Sequence, residues 1–379
     1  MHPPLLHQMN SFSPSTFSVA GFECSPRLPQ RPRWPAEWER HEATWATWPR
    51  NPETWPQNLA DARREHAGFL KLIADHEPVR LVVGGNARPS AMASLACTSG
   101  VELVDLPSND AWMRDHGATF AIDQADQSLV AVNWTYNAWG EKYPPFDLDQ
   151  RIGSEMAKLT SANLLCCSLV MEGGGLETDG RGTLLTTESC VLDPIRNEGM
   201  TRQRFETLMA RVLGIERVVW LPGGNIVGDD TDGHIDQIAR FLNSRQVAVT
   251  QPTHTTDPNF EVTQHNLRAV TAWAERGEDP IEVITLPSPG VVELSGTRLP
   301  ASYCNFYLAN DLVLVPAFGV PQDEVAKGLL KDLFPKRQVH SHPSRNLLWG
   351  LGSFHCLTQQ QPAVDTIRKT HGAKSSIQA

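Results

Sequence analysis

The sequence lacks the devices that build secreted, membrane or metal-organised folds. Its seven cysteines are odd in number and include no Cys-x-x-Cys pair. That excludes a disulfide framework and the common cysteine-based zinc sites, and it predicts a reducing, cytoplasmic setting. The adjacent pair Cys166-Cys167 is expected in a core strand. No stretch reaches the roughly 18 apolar residues that cross a bilayer, and the opening Met1-His-Pro-Pro-Leu-Leu-His7 has no basic, then apolar, secretion signal. Basic residues are scarce as well: 33 Lys and Arg stand against 43 Asp and Glu, giving a net charge of -10. With the cations scattered, nucleic acid is a poor partner, whereas a small cationic substrate is compatible.

What the chain does have is size and apolar content. At 379 residues and 40% hydrophobic, it can bury a large core, in one repeated domain or two ordinary ones. Residues 1–32, rich in Pro, Ser and Phe without periodicity, read as a loosely ordered extension, and residues 33–379 as a single domain. Within that domain one pattern recurs: an amphipathic helix, a turn, then a short apolar strand ending at Pro, Gly or an acidic residue. The five predicted strands are Val101 to Pro107, Leu164 to Glu172, Val218 to Pro222, Val283 to Pro287 and Gln338 to Pro343. Further strands are expected between them, including Ala118 to Ile122 with Leu129 to Trp134, and Gly182 to Thr187 with Ser189 to Leu192. An α/β domain of irregular spacing would also fit. The balance shifts because Asp115, Glu172, His234 with Asp236, and Cys356 all fall just after a unit's strand end. Radial repetition would bring such equivalent positions to one mouth of a central axis.

The loop from Leu221 to Asp236 (LPGGNIVGDDTDGHID) is acidic enough to suggest calcium, but it has neither the twelfth-position glutamate nor the flanking helices of an EF-hand. Zinc fits less well, since no His-x-x-x-His pair accompanies His234. Glu172-Gly-Gly-Gly is followed by no Lys-Ser or Lys-Thr and is not a phosphate loop. The set Cys356, His234, Asp115, Asp236 and Glu172 instead suits thiol chemistry on a cation. A thiol with a reference pKa of about 8.5 needs a nearby positive charge to ionise at neutral pH. A bound guanidinium supplies that charge and pairs bidentately with carboxylates. Asp115 and Asp236 are then substrate clamps, and Glu172 fixes the imidazole of His234.

These residues lie in longer motifs: Pro35-Ala-Glu-Trp-Glu-Arg-His-Glu-Ala-Thr-Trp45, Asn109-Asp-Ala-Trp-Met-Arg-Asp115, Asn137-Ala-Trp-Gly-Glu-Lys-Tyr-Pro-Pro-Phe-Asp147, Gly228-Asp-Asp-Thr-Asp-Gly-His-Ile-Asp236, Asn305-Phe-Tyr307 and His355-Cys-Leu-Thr-Gln-Gln-Gln361. In them the chain resembles the agmatine deiminase branch of the guanidine-modifying, or pentein, superfamily. The resemblance implies a five-bladed pseudo-symmetric α/β propeller and Cys356, His234, Glu172, Asp115 and Asp236 as catalytic set. It implies hydrolysis of agmatine to N-carbamoylputrescine and ammonia through a covalent amidino-thioether, without metal or cofactor, and a homodimer. It departs from the family at Gly117-Ala-Thr119, where Gly-Pro-Thr is usual, and at Leu351, Ser353 and Phe354, which interrupt a glycine run. Rival readings are a protein-arginine or free-arginine deiminase and a non-catalytic binding protein on the same scaffold.

Several neighbours carry lesser expectations. Trp112 is expected to stack on the substrate, while Trp34, Trp38, Trp45, Trp48 and Trp55 read as core. Asp229, Asp230 and Asp232 either hold their loop by Asx turns or meet a distal amine. His116, Arg114 and His355 flank reactive residues and, taken as strand neighbours, are expected to point away from them. Cys304 reads as a core thiol.

Overall fold

The computed structural model describes residues 16–276 and 280–364. The same strand order recurs five times. An antiparallel pair is followed, through a helix, by a third strand parallel to the second. One such group is Thr119–Asp123, Ser128–Thr135 and Asn163–Val170, with helix Ile152–Thr160 as crossover. The others are Glu177–Thr178, Thr183–Thr187 and Arg217–Leu221 with helix Arg202–Leu213; Ala239–Asn243, Gln246–Gln251 and Glu282–Pro287 with helix Phe260–Ala274; and Tyr307–Ala309, Leu312–Ala317 and Gln338–Pro343 with helix Gln322–Leu333. In the fifth, Thr358–Pro362 pairs antiparallel with His41–Thr47, which runs parallel to Val79–Val82, itself parallel to Val101–Val104.

Local sequence explains these elements. Helix Arg202–Leu213 buries Phe205, Leu208, Met209 and Val212, the i, i+3, i+4, i+7 stripe of one face. Burying each of these large side chains stabilises by about 1.5–3 kcal/mol. Thr201 caps the helix by accepting the Arg204 N–H, and Gly214 ends it at φ 73°. A side chain at Gly214 would also meet the Pro32 carbonyl at 1.9 Å. Strand Thr183–Thr187 is buried along its whole length, as befits the central strand of its group.

Two expectations are corrected. From residue 16 the N-terminal segment is part of the largest sheet, with Phe17–Val19 and Phe22–Ser25 added at one edge and Pro32–Arg33 at the other. Alternation in Phe22-Glu-Cys24 puts Cys24 in the core beside Cys167, and the turn between the strands uses Ala20 and Gly21 at positive φ. Residues 1–15 lie outside the described residues. Ser189 to Leu192, expected as a strand, belongs to a single helical turn, Glu188–Val191; the chain reverses there after Thr187 instead of pairing again.

Candidate active site

A single helical turn precedes the first strand of each group, and the reactive residues sit on these turns. Asp115 lies on Met113–His116, Glu172 caps Gly173–Gly175, His234 caps Ile235–Ile238 with Asp236 inside it, and Asn305 ends Tyr303–Asn305. Cys356 closes the corresponding turn before Thr358–Pro362, where the Leu357 amide bonds the Ser353 carbonyl. All five sequence-predicted residues are buried and come together.

The Cys356 thiol points at Asp236 Oδ2, 3.4 Å away. It also accepts from the Asn305 side-chain amide at 3.1 Å. His234 spans two carboxylates: Nδ1 is 3.8 Å from Asp115 Oδ1 and Nε2 is 3.5 Å from Glu172 Oε2. Asp115 is fixed on both oxygens, Oδ1 accepting the Gly174 amide at 3.0 Å and Oδ2 the Trp139 indole at 3.1 Å. Glycine is needed at 174 because a Cβ there would meet His234 Nδ1 at 2.6 Å and Asp115 Oδ1 at 2.8 Å. The glycine run after Glu172 therefore lets backbone approach two reactive side chains. Glu172 takes the Arg196 Nε–H on both oxygens, at 3.1 and 3.0 Å. Three buried polar atoms of this set, both ring nitrogens of His234 and Asp236 Oδ1, have no hydrogen-bond partner among the described residues. Leaving such an atom unpaired costs about 1–3 kcal/mol, so the site is built to be completed by something polar.

The charge states follow from the surroundings. Burial pushes the Cys356 thiol well above its ordinary value, and the Asp236 and Asp115 carboxylates push it further. Burial pulls the His234 imidazole down, but Asp115, the Cys190 thiol and Glu172 outweigh this and hold it well above its usual range, as imidazolium. Burial also raises the Asp115 carboxyl, to about 6, with Asp236 and Glu172 adding to the rise and His234 opposing it. For Glu172, burial is outweighed by the Arg196 guanidinium and His234, which keep it ionised. The resting site is a protonated thiol, an imidazolium and carboxylates short of one positive charge.

A cavity of about 710 Å³ opens onto Cys356 and Asp115. Trp112 lines it, its ring stacked on Trp55 with centroids 5.6 Å apart. Gly352 packs against that indole so closely that a Cβ would lie 2.4 Å from Cζ3. Over the cavity runs the strap of residues 137–147. Ala138, Trp139, Gly140 and Glu141 all have positive φ there, a run that costs side-chain-bearing residues about 1–3 kcal/mol each. The strap aims Trp139 at Asp115 and sets Lys142 and Tyr143 on the loop at residues 229–232: Lys142 Nζ is 2.7 Å from Asp232 Oδ2, and Tyr143 OH donates to Asp230. Asp229 accepts from the Thr231 and Gly233 amides and so holds the loop, Asp232 pairs with Arg196, and Asp230 lines the cavity.

Arg114 and His355 do not point away. Arg114 is buried and donates to Gln360 Oε1 at 2.7 Å and Glu37 Oε2 at 3.2 Å. His355 Nδ1 lies 2.8 Å from Asp236 Oδ2. Both residues lie on helical turns rather than strands, where successive side chains are about 100° apart and two neighbours can face inward. His116 is buried too, 3.6 Å from Asp149. Trp34, Trp45, Trp48, Trp55 and Cys304 are core, and Trp38 is partly buried against it. Asn305 and Gln237 are the functional-site neighbours that the residue-type search passed over; the signal for Asn305 was its place on the fourth equivalent turn. Glu172, Cys190 and His234 offer ligand atoms within 4.8 Å of one another, but both Glu172 oxygens already hold Arg196, so a metal ion there would face a guanidinium.

The profile of the Porphyromonas-type peptidyl-arginine deiminases matches residues 33–362. The chain belongs to that family. A curated relative from Legionella pneumophila (strain Paris), a putative agmatine deiminase, is 40% identical over 330 residues, spanning 86% of this chain and 94% of its own. The agmatine deiminase of Stutzerimonas stutzeri is 35% identical over 356 residues, 87% of this chain and 95% of its own. Among solved structures, the agmatine deiminase of Enterococcus faecalis superposes with a TM-score of 0.82 at 28% identity, covering 87% of this chain and 96% of that one. A C. jejuni agmatine deiminase variant with substrate bound gives 0.81 at 26% identity, over 88% and 97%. An amidinotransferase from Microseira wollei shares the α/β fold alone, with a TM-score of 0.51 at 12% identity. Family and fold thus agree with the pentein resemblance of the motifs.

Proposed function

We propose that the protein is an agmatine deiminase, hydrolysing agmatine to N-carbamoylputrescine and ammonia. The observation that carries this reading is the sign of the cavity wall. Among the described residues its lining includes the acids Glu53, Asp110, Asp115, Asp149 and Asp230, but Lys142 as the one cation, and that ammonium is already taken by Asp232. Such a wall suits a dication carrying a guanidinium and an amine. An α-carboxylate, as in free arginine, would enter this wall against its predominant charge. Curated relatives across most of the chain are agmatine deiminases, which supports the same substrate.

In this mechanism Asp115 and Asp236 grip the guanidinium nitrogens, and the arriving charge offsets the two carboxylates that keep Cys356 protonated. As the cation binds, the thiol releases its proton to solvent, and the thiolate adds to the guanidinium carbon, whose C=N electron pair moves onto nitrogen. The imidazolium of His234 gives its proton to the departing ammonia, leaving a planar amidino-thioether on sulfur. Neutral His234 then takes a proton from a water that attacks the same carbon, and collapse frees the thiol and the ureido product. Asn305 holds the sulfur in line, Trp112 and Trp139 flank the reacting group, and Asp230 meets the distal amine. The five strand groups are read as the blades of a five-bladed propeller around this site, and reduced Cys356 fits a cytoplasmic enzyme.

The test is turnover of agmatine, free arginine and an arginyl peptide at equal concentration, following ammonia and the ureido product. Agmatine is expected to have the highest kcat/KM by at least about 100-fold, the size of effect that an unpaired buried charge produces. Preference for the peptide would overturn the substrate, and absence of ammonia with all three would leave a binding protein.

A further inference from the structure

Beneath the site lies a buried row of charge. Glu37 Oε2 is 2.9 Å from His355 Nε2 and 3.2 Å from Arg114 Nη2, and its Oε1 accepts from Arg240 Nη2 at 2.8 Å and the Leu308 amide at 2.9 Å. Arg240 is fully buried and also binds Glu177 Oε2 at 2.9 Å. The other ring nitrogen of His355, Nδ1, reaches Asp236 Oδ2 at 2.8 Å. Glu37, His355 and Asp236 thus form a continuous chain that ends 3.4 Å from the Cys356 sulfur. The chain has a directional result. Asp236 Oδ2 is taken up, while Oδ1 is buried and has no hydrogen-bond partner among the described residues, which leaves one oxygen for a ligand.

We propose that Glu37 and His355 are positioning residues for the deimination, acting through Asp236: Glu37 locks the imidazole, and the imidazole turns the carboxylate so that Oδ1 faces the substrate. Glu37 suits the anchoring role because burial is outweighed by Arg240, His355 and Arg114, which hold it well below the usual carboxylate range. Asp236 likewise stays ionised: burial raises it, but His355, His234 and Arg240 hold it down. The charged groups that face the chain include Arg114, Arg240 and Arg337, the carboxylates of Glu177 and Asp115, and His234, together with the Cys356 thiol. The role deepens the clamp assigned to Asp236 and rests on it.

Replacing Glu37 would strand two buried guanidiniums and endanger folding, so the experiment uses two His355 variants. In His355→Asn the amide nitrogen takes the place of Nδ1 and can still donate to Asp236, while the link to Glu37 is lost. In His355→Gln the amide takes the place of Nε2, keeping Glu37 and losing Asp236. Both variants and Asp236→Asn are assayed with agmatine over pH 5–9, with thermal melts alongside. A positioning role predicts that His355→Asn loses about 10-fold in kcat/KM and His355→Gln about 100-fold at similar Tm. It further predicts that the acid limb of kcat/KM moves up and steepens in His355→Gln, because Asp236 loses the partner that keeps it ionised. Equal losses in the two variants with an unmoved acid limb would overturn the proposal. An Asp236→Asn enzyme of unchanged kcat/KM would instead overturn the clamp itself.

Discussion

The floor and the roof of the cavity are held in opposite ways. The floor, from Glu37 through Asp236 to Cys356, is made of buried groups whose polar atoms nearly all meet other buried groups. The roof, residues 137–147, closes through Lys142 and Asp232, whose side chains are 33% and 32% exposed, on a run of left-handed residues. Exposed pairs contribute about 0.2–1 kcal/mol, whereas removing one partner of a buried pair costs about 3–5 kcal/mol. The groups proposed to aim at carbon are thus held by buried pairs, whereas the strap adds an exposed pair to the buried Trp139–Asp115 bond.

This contrast can be broken from the floor upward. Cys356→Ser is expected to lower kcat by about 10⁴-fold or more, because the acting nucleophile is lost while the fold stays intact; appreciable steady-state ammonia release from this variant would refute the assignment. Asp236→Asn should cost about 10- to 150-fold in kcat/KM, the worth of a charge-assisted hydrogen bond of about 1.5–3 kcal/mol. The pH profile tests the electrostatics: Asp115, pushed up to about 6 by burial, must be ionised to bind, so kcat/KM is present above that pH and falls as pH drops through it. A flat profile between pH 5 and 7 would reject that. Next, Asp230→Asn should raise KM for agmatine roughly 10-fold with little change in kcat, on the proposal that its carboxylate meets the distal amine and not the reacting carbon. At the small end, Lys142→Ala should change kcat/KM by less than about 5-fold, in line with an exposed ion pair; a loss as large as that of Asp236→Asn would erase the distinction between floor and roof.

A large share of this was legible in the sequence, and the reasons are physical. Helices such as Arg202–Leu213 and Gln322–Leu333 announce themselves because burial on one face forces a 3.6-residue period. The reactive set was legible because Cys, His, Asp and Glu must be at hand for guanidine chemistry and their spacing followed the strand ends. The misreadings have separate causes. His355 and Arg114 were assigned directions from a strand's two-residue alternation, but the backbone there makes one helical turn, a feature too short to leave a period. Asn305 was passed over as a site residue because an amide carries no charge to mark it. The pairing of residues 17–25 with the large sheet was hidden because a short edge strand needs only a few apolar side chains, and its partner, Asn163–Val170, lies far along the chain.

Strand Thr358–Pro362 begins two residues after Cys356 and pairs with His41–Thr47. During synthesis, therefore, the nucleophile and the strand that closes its group leave the ribosome long after the partner strand has emerged. Asp115, Asp236 and His234, the proposed clamps and imidazole, are made before the thiol they would serve. A partly made chain lacks Cys356, so on the proposed mechanism it forms no thioether with a guanidine. On that mechanism turnover needs Thr358–Pro362 seated beside His41–Thr47, which would make ammonia release a report of completed folding.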